Sequence, residues 1–121
     1  MQNWVMQELG AGNNIYVSEV ADYEVRRELI RLIRAGQLPA SRLQRLDQLK
    51  SLCLFLPVSS TSWQRAAELW AEARLQGKAT ASPASLDPDV LIAAQAQEVA
   101  ATVVTNNPGH IGRWVPILTW P

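Results

Sequence analysis

The chain has 121 residues, of which 48% are apolar and 18% charged. This is enough apolar matter for one hydrophobic core, and it excludes a disordered chain, which is poor in apolar residues and rich in net charge. Eleven basic and eleven acidic residues cancel, which excludes a basic nucleic-acid arm and an acidic tail as whole-chain features and leaves room only for a local basic patch.

Residues Asn3 to Leu9 read as the end of a helix, stopped by Gly10 and Gly12. Ile15, Tyr16 and Val17, behind Asn13-Asn14, are a β-prone run that predicts a strand. From Val20 to Ala35 the residues Val25, Leu29, Leu32 and Ile33 fall at helical spacing, and Gly36 ends the helix. Ser41 with Gln44 predicts a capping box for the next helix, in which Leu43, Leu46 and Leu49 share a face. Leu52 to Val58, cut by Pro57, predicts a short strand. Thr61 with Gln64 predicts a second capping box; Trp63, Ala66, Ala67, Trp70 and Ala73 line one stripe of its helix, and Gly77 closes it. Residues 78–86 read as a loop. Asp87-Pro88 opens a helix that runs to about Ala100, since Asp suits the N-cap and Pro the first turn. Thr102 to Thr105 predicts a buried strand, Asn106 to Gly112 a turn-rich loop, and Ile117 to Trp120 a last strand. Helices alternating with short apolar strands predict an α/β fold with a largely parallel sheet, where sites gather at the carboxyl ends of the strands.

A lone cysteine, Cys53, with a lone histidine, His110, excludes an intramolecular disulfide and a Cys-rich zinc site. No run reaches the roughly 18 apolar residues that span a bilayer, and the N-terminus lacks a signal-peptide pattern. These features predict a cytoplasmic protein without a membrane partner.

Three groups of residues have the types that chemistry needs. Glu24 lies about a turn into the helix after the first strand, with Asp22 and Glu28 nearby; from the residues alone it reads as a solvated face beside Arg27 and Arg31. Asp87 and Asp89 read as a cap and a dipole partner, or as paired carboxylates aimed at a hard dication such as Mg²⁺ or Mn²⁺. Thr105, Asn106 and Asn107 follow a buried strand and read as a turn, or as a polar wall that positions water or phosphate. His110, in the same loop, reads as a surface residue. Arg26, Arg27, Arg31, Arg34, Arg42 and Arg45 give the second and third helices a local positive excess, which suits a solvated face or RNA phosphates.

The order of these features resembles the PIN domain family, and within it the VapC-type toxins of bacterial toxin–antitoxin pairs. Tyr16 to Leu29 is similar to that family's second strand and following helix, and Ser18 and Glu24 keep the interval between its strand-end hydroxyl and its metal-site glutamate. Leu86 to Ala96 resembles the family's Asp-x-x-Ile-Ala-Ala-x-Ala helix start, with Asp89 at the invariant acid and Asp87 as an accessory acid. Val103 to Ile111 resembles the final Thr-x-Asn-x-x-Asp-Phe segment: Thr105 and Asn107 match, while His110 stands at the usual acid and Ile111 at the usual Phe.

The resemblance implies a single PIN-like domain over residues 1–121, a three-layer α/β/α fold with a small, mostly parallel sheet. The family's first, central strand, which ends in an Asp-Thr-Asn motif and supplies a principal metal ligand, has no counterpart here. The start could lie upstream of Met1, the chain could be a shortened relative, or a partner strand could fill the gap. The implied activity is Mg²⁺- or Mn²⁺-dependent endoribonuclease, with Glu24, Asp87 and Asp89 on the metal and Thr105 and Asn107 orienting water or phosphate. The implied partners are RNA, an antitoxin protein and a second copy of the chain. Its interface would be the helix around Trp63 and Trp70, which equally suits the core. The rival expectation is a catalytically impaired PIN-like protein that binds RNA or a partner without cleavage. A third is an α/β domain whose acids are only caps and surface charge.

Overall fold

The structure, a computed structural model, describes residues 2–77, 87–106, 109 and 111–119. The described residues form an α/β fold of five helices and small parallel sheets, and the chain divides into two compact units, Met1–Pro57 and Val58–Pro121. No described helix is long and apolar enough to cross a membrane.

In the first unit the order is α1 (Gln2–Gly10), β1 (Tyr16–Ser18), α2 (Glu19–Arg34), α3 (Ser41–Ser51) and β2 (Leu54–Leu56). β1 and β2 are parallel, with Tyr16 opposite Leu54 and Ser18 opposite Leu56. Parallel strands need a crossover, which α2 and α3 supply. Gly12 and Gly36 end α1 and α2 as the sequence predicts. Each takes a positive φ, +87° and +75°, that a side chain would strain. Beyond Gly36, the Gln37 N–H reaches back to the Leu32 carbonyl at 2.9 Å and the Gly36 N–H to the Ile33 carbonyl at 3.0 Å, the Schellman motif that closes many helices. The capping box expected at Ser41 does not form: α3 starts from Ala40 with no side-chain cap.

Asp22 ties α2 to α3. Its carboxylate accepts from Arg26 Nε and Nη2 at 3.2 and 3.1 Å, and Lys50 Nζ lies 3.7 Å away. Arg26 also donates to Asp47 at 2.7 Å. The Arg26 hydrogen bonds hold the Asp22 carboxyl below its ordinary value of 3.8; burial opposes this, and the Arg26 and Lys50 charges add to it. A carboxyl whose pKa is depressed on folding contributes stability above its unfolded value and loses it as pH falls through the folded value. Asp22→Asn should therefore cost about 1 kcal/mol at pH 7. In urea titrations at successively lower pH, the gap from wild type should close below pH 3.8.

The second unit runs α4 (Ser60–Leu75), α5 (Pro88–Glu98), β3 (Val103–Thr105), a 3₁₀ turn (Ile111–Arg113) and β4 (Ile117–Thr119). β3 and β4 are parallel, with Val103 opposite Ile117 and Thr105 opposite Thr119. Among the described residues each strand has one strand partner, so the expected small sheet occurs as two two-stranded pairs. α5 is apolar nearly all round, and Val90, Leu91, Ala93, Ala94 and Ala96 are buried, as such a helix requires. Its alanines let α4 approach closely.

Two expectations for α4 are corrected. The capping box is Ser59 with Ser62, not Thr61 with Gln64. The buried stripe is Ser62, Ala66, Leu69 and Ala73, while Trp63 is 49% exposed and Ala67 is also exposed. Ser62, fully buried, donates to Glu98 Oε1 at 2.7 Å, which fixes the phase of the helix. After α5, Ala100 takes φ +52° and Ala101 N–H bonds the Ala96 carbonyl at 2.8 Å. This is a left-handed cap built on a residue with a Cβ. Ala100→Gly should remove that strain and raise stability by about 0.5–1 kcal/mol in thermal melts.

Candidate functional site

Of the four carboxylates on α2, Asp22, Glu24 and Glu28 are separated by their partners. Asp22 belongs to the brace between α2 and α3. Glu28 is held by Arg31 Nε at 3.1 Å and by its Nη2, and this pairing lowers the Glu28 pKa. Glu24 is held loosely: its side chain is 35% exposed and its ion-pair partner, Arg27 Nη2, stands at 3.9 Å. Upstream, Ser18 Oγ caps α2 by accepting from the Val20 and Ala21 N–H groups at 3.1 and 3.4 Å. The hydroxyl that begins the Ser18–Glu24 interval therefore has a capping role.

Three of the six arginines in the expected basic cluster are engaged with acids: Arg26 with Asp22 and Asp47, Arg27 with Glu24, and Arg31 with Glu28. The positive excess on α2 and α3 is smaller than the sequence suggests.

In the second unit Asp87 caps α5. Its Oδ1 accepts from Asp89 N–H at 3.0 Å, and Pro88 occupies the first turn. Both readings of this residue meet in its two oxygens. Oδ1 acts as a cap. Oδ2 is buried and has no hydrogen-bond partner among the described residues, in a residue only 5% exposed. A buried carboxylate oxygen without a partner is costly, and such atoms in a native fold call for an explanation. Asp89, in the same first turn, is half-buried. Thr105 ends β3, also half-buried. Asn107 and His110 lie outside the described residues.

Hard dications take oxygen ligands, and every acid expected at this site supplies only oxygen. The orphan Oδ2 of Asp87 fits such an ion, which would satisfy the lone pairs that nothing else does. Among the described residues no three His, Cys, Asp or Glu side chains gather closely enough to hold a metal by themselves. The second unit brings Asp87 and Asp89 to one helix start, while Glu24 belongs to the first unit.

Comparisons with known proteins agree with this fold. The family model described as PIN domain matches residues 2–111. Among solved structures, the crystal structure of VapBC2 from Rickettsia felis bound to a DNA fragment from their promoter includes a chain 23% identical to this one. The match covers 96% of this chain and 82% of that chain, with a TM-score of 0.76. That identity speaks to the fold alone. No curated protein sequence matches the chain.

Proposed function

Because the chain belongs to the PIN domain family, we propose that residues 1–121 form a single PIN-like domain that hydrolyses RNA phosphodiester bonds as a metal-dependent endoribonuclease of the VapC toxin type. Glu24, Asp87 and Asp89 would hold Mg²⁺ or Mn²⁺. When bound, the ion supplies Lewis-acid activation of the phosphodiester and of the attacking water. The chain's own part is to concentrate negative charge that recruits the ion, and to orient water and phosphate through Thr105 and Asn107. The observation that carries the reading is the buried, unpartnered Oδ2 of Asp87. A cap alone needs one oxygen and explains only Oδ1.

The same reading assigns an antitoxin protein and a second copy of the chain as partners, and the cytoplasm as the location. Exposed apolar side chains support it: Tyr23 and Val25 on α2, Phe55 on β2, and Trp63 on α4. Large apolar contacts of this kind suit protein interfaces.

The test is cleavage of a structured RNA by the purified chain in Mn²⁺, with a parallel lane in EDTA. The expected result is cleavage that EDTA abolishes. A folded chain that cleaves nothing in Mn²⁺ contradicts the proposal and leaves binding without cleavage as the function.

A further inference from the structure

The second unit buries two guanidinium donors to which no described side chain offers an acceptor. Arg74 lies in the last turn of α4. Its Nε and Nη2 are buried, and among the described residues they make no hydrogen bond and no ion pair includes Arg74. Its guanidinium stands over the Trp70 ring, 4.9 Å from the centroid. A cation–π contact recovers part of the lost hydration but none of the hydrogen bonds. Nε–H and Nη2–H are the parallel donors of one guanidinium edge, the edge that grips two oxygens of a carboxylate or phosphate. The residue as a whole is half-buried, while both donors of that edge are buried.

Two hydrogen bonds give the direction of the helix pair. Ser62 near the start of α4 donates to Glu98 at the end of α5, and one turn on, Arg65 Nε donates to Gln97 Oε1 at 2.8 Å. The helices therefore run antiparallel. An antiparallel pair directs the last turn of α4, with Arg74, toward the end where Asp87 and Asp89 open α5.

We propose that Arg74 binds a phosphodiester of the RNA backbone beside the acids of α5. The identity of the ligand rests on the nuclease reading, since that reaction brings phosphodiesters to this end of the helix pair. The fork holds a phosphate of the substrate, and the chain keeps an uncompensated charge there at the expense of stability.

The experiment is binding of fluorescein-labelled single-stranded RNA in EDTA, read by anisotropy at several salt concentrations, for wild type, Arg74→Met and Arg74→Lys. Melting curves of the free proteins run in parallel. Arg74→Met should weaken binding about tenfold and lower the slope of log affinity against log salt by about 0.7, the share of one phosphate on a single strand. Arg74→Lys should restore the slope but not the full affinity, because it keeps the charge without the fork. Arg74→Met should also melt a few degrees higher than wild type without RNA, which no packing role for Arg74 predicts. Unchanged affinity and slope in folded Arg74→Met overturn the proposal, as does a lower melting temperature with an unchanged slope. Failure of wild type to bind RNA overturns it too. EDTA separates the two readings. Arg74-dependent binding in a chain that never cleaves leaves this inference standing without the nuclease. Metal-dependent cleavage with wild-type binding by Arg74→Met does the reverse.

Discussion

Asp89→Asn should lower metal-dependent RNA cleavage at least a hundredfold while the protein stays folded. The substitution keeps the shape of the side chain and removes one negative charge from the proposed ion site. Loss of a single preorganised electrostatic group at a reacting centre typically costs about 10²–10³ in rate. The structural penalty is small by comparison. Asp89 sits in the first turn of α5, where a carboxylate favours the helix dipole by about 0.3–1 kcal/mol. Single-turnover rates at saturating Mn²⁺, with a melting curve for each protein, separate the two effects. A rate within threefold of wild type removes Asp89 from the machinery.

Leu69→Ala and Leu91→Ala carry the largest expected stability effects. Each leucine is 1% exposed, one on α4 and one on α5, where the two helices pack on each other. Truncation loses the transfer energy of the removed carbons and leaves a cavity that a small core closes only in part. The cost should be about 3 kcal/mol for each. That is a large share of the total stability of such a domain. Leu75 is the internal control: it is on the same helix but 89% exposed, so Leu75→Ala should change stability by less than about 0.5 kcal/mol. Urea midpoints of the three variants check the ranking. Equal losses at Leu69 and Leu75 contradict the packing described for this helix pair.

The helices and strands were legible because their signals are local. Helical spacing marks α2, and β-branched runs mark β1 and β3. Gly12 and Gly36 take the positive φ that their place after a helix predicts. The caps and the phase of α4 were less legible. Ser59, Ser60, Thr61 and Ser62 are four hydroxyl residues in a row, each able to begin a helix by its own chemistry. The choice falls to Ser59 with Ser62 because Ser62 is buried against Glu98, a contact 36 residues away. The same choice turns Trp63 outward and brings Leu69 in.

The candidate site was legible in its residues and not in their states. Asp22, Glu24 and Glu28 look alike in sequence. Only partners from other turns and from α3 show that Asp22 and Glu28 are engaged and Glu24 is loosely held. At Asp87 the sequence offers a cap or a ligand, and the structure shows that the cap uses one oxygen. Arg74 was missed. The spacing of Trp70 and Arg74 puts an aromatic beneath a guanidinium, but a missing counter-charge is a tertiary fact that no local pattern carries.

Melting of wild type and Asp87→Asn, in EDTA and in Mn²⁺, most directly tests whether the second oxygen of Asp87 serves a dication. Asn caps a helix about as well as Asp, and it removes the buried carboxylate oxygen that no described group bonds. In EDTA the variant should therefore melt no lower than wild type. At a Mn²⁺ concentration a hundredfold above the dissociation constant, wild type should gain about 2.7 kcal/mol by mass action, and the variant should gain nothing. A variant that melts well below wild type in EDTA, with the same response of both proteins to Mn²⁺, would make Asp87 a structural cap and contradict the metal site.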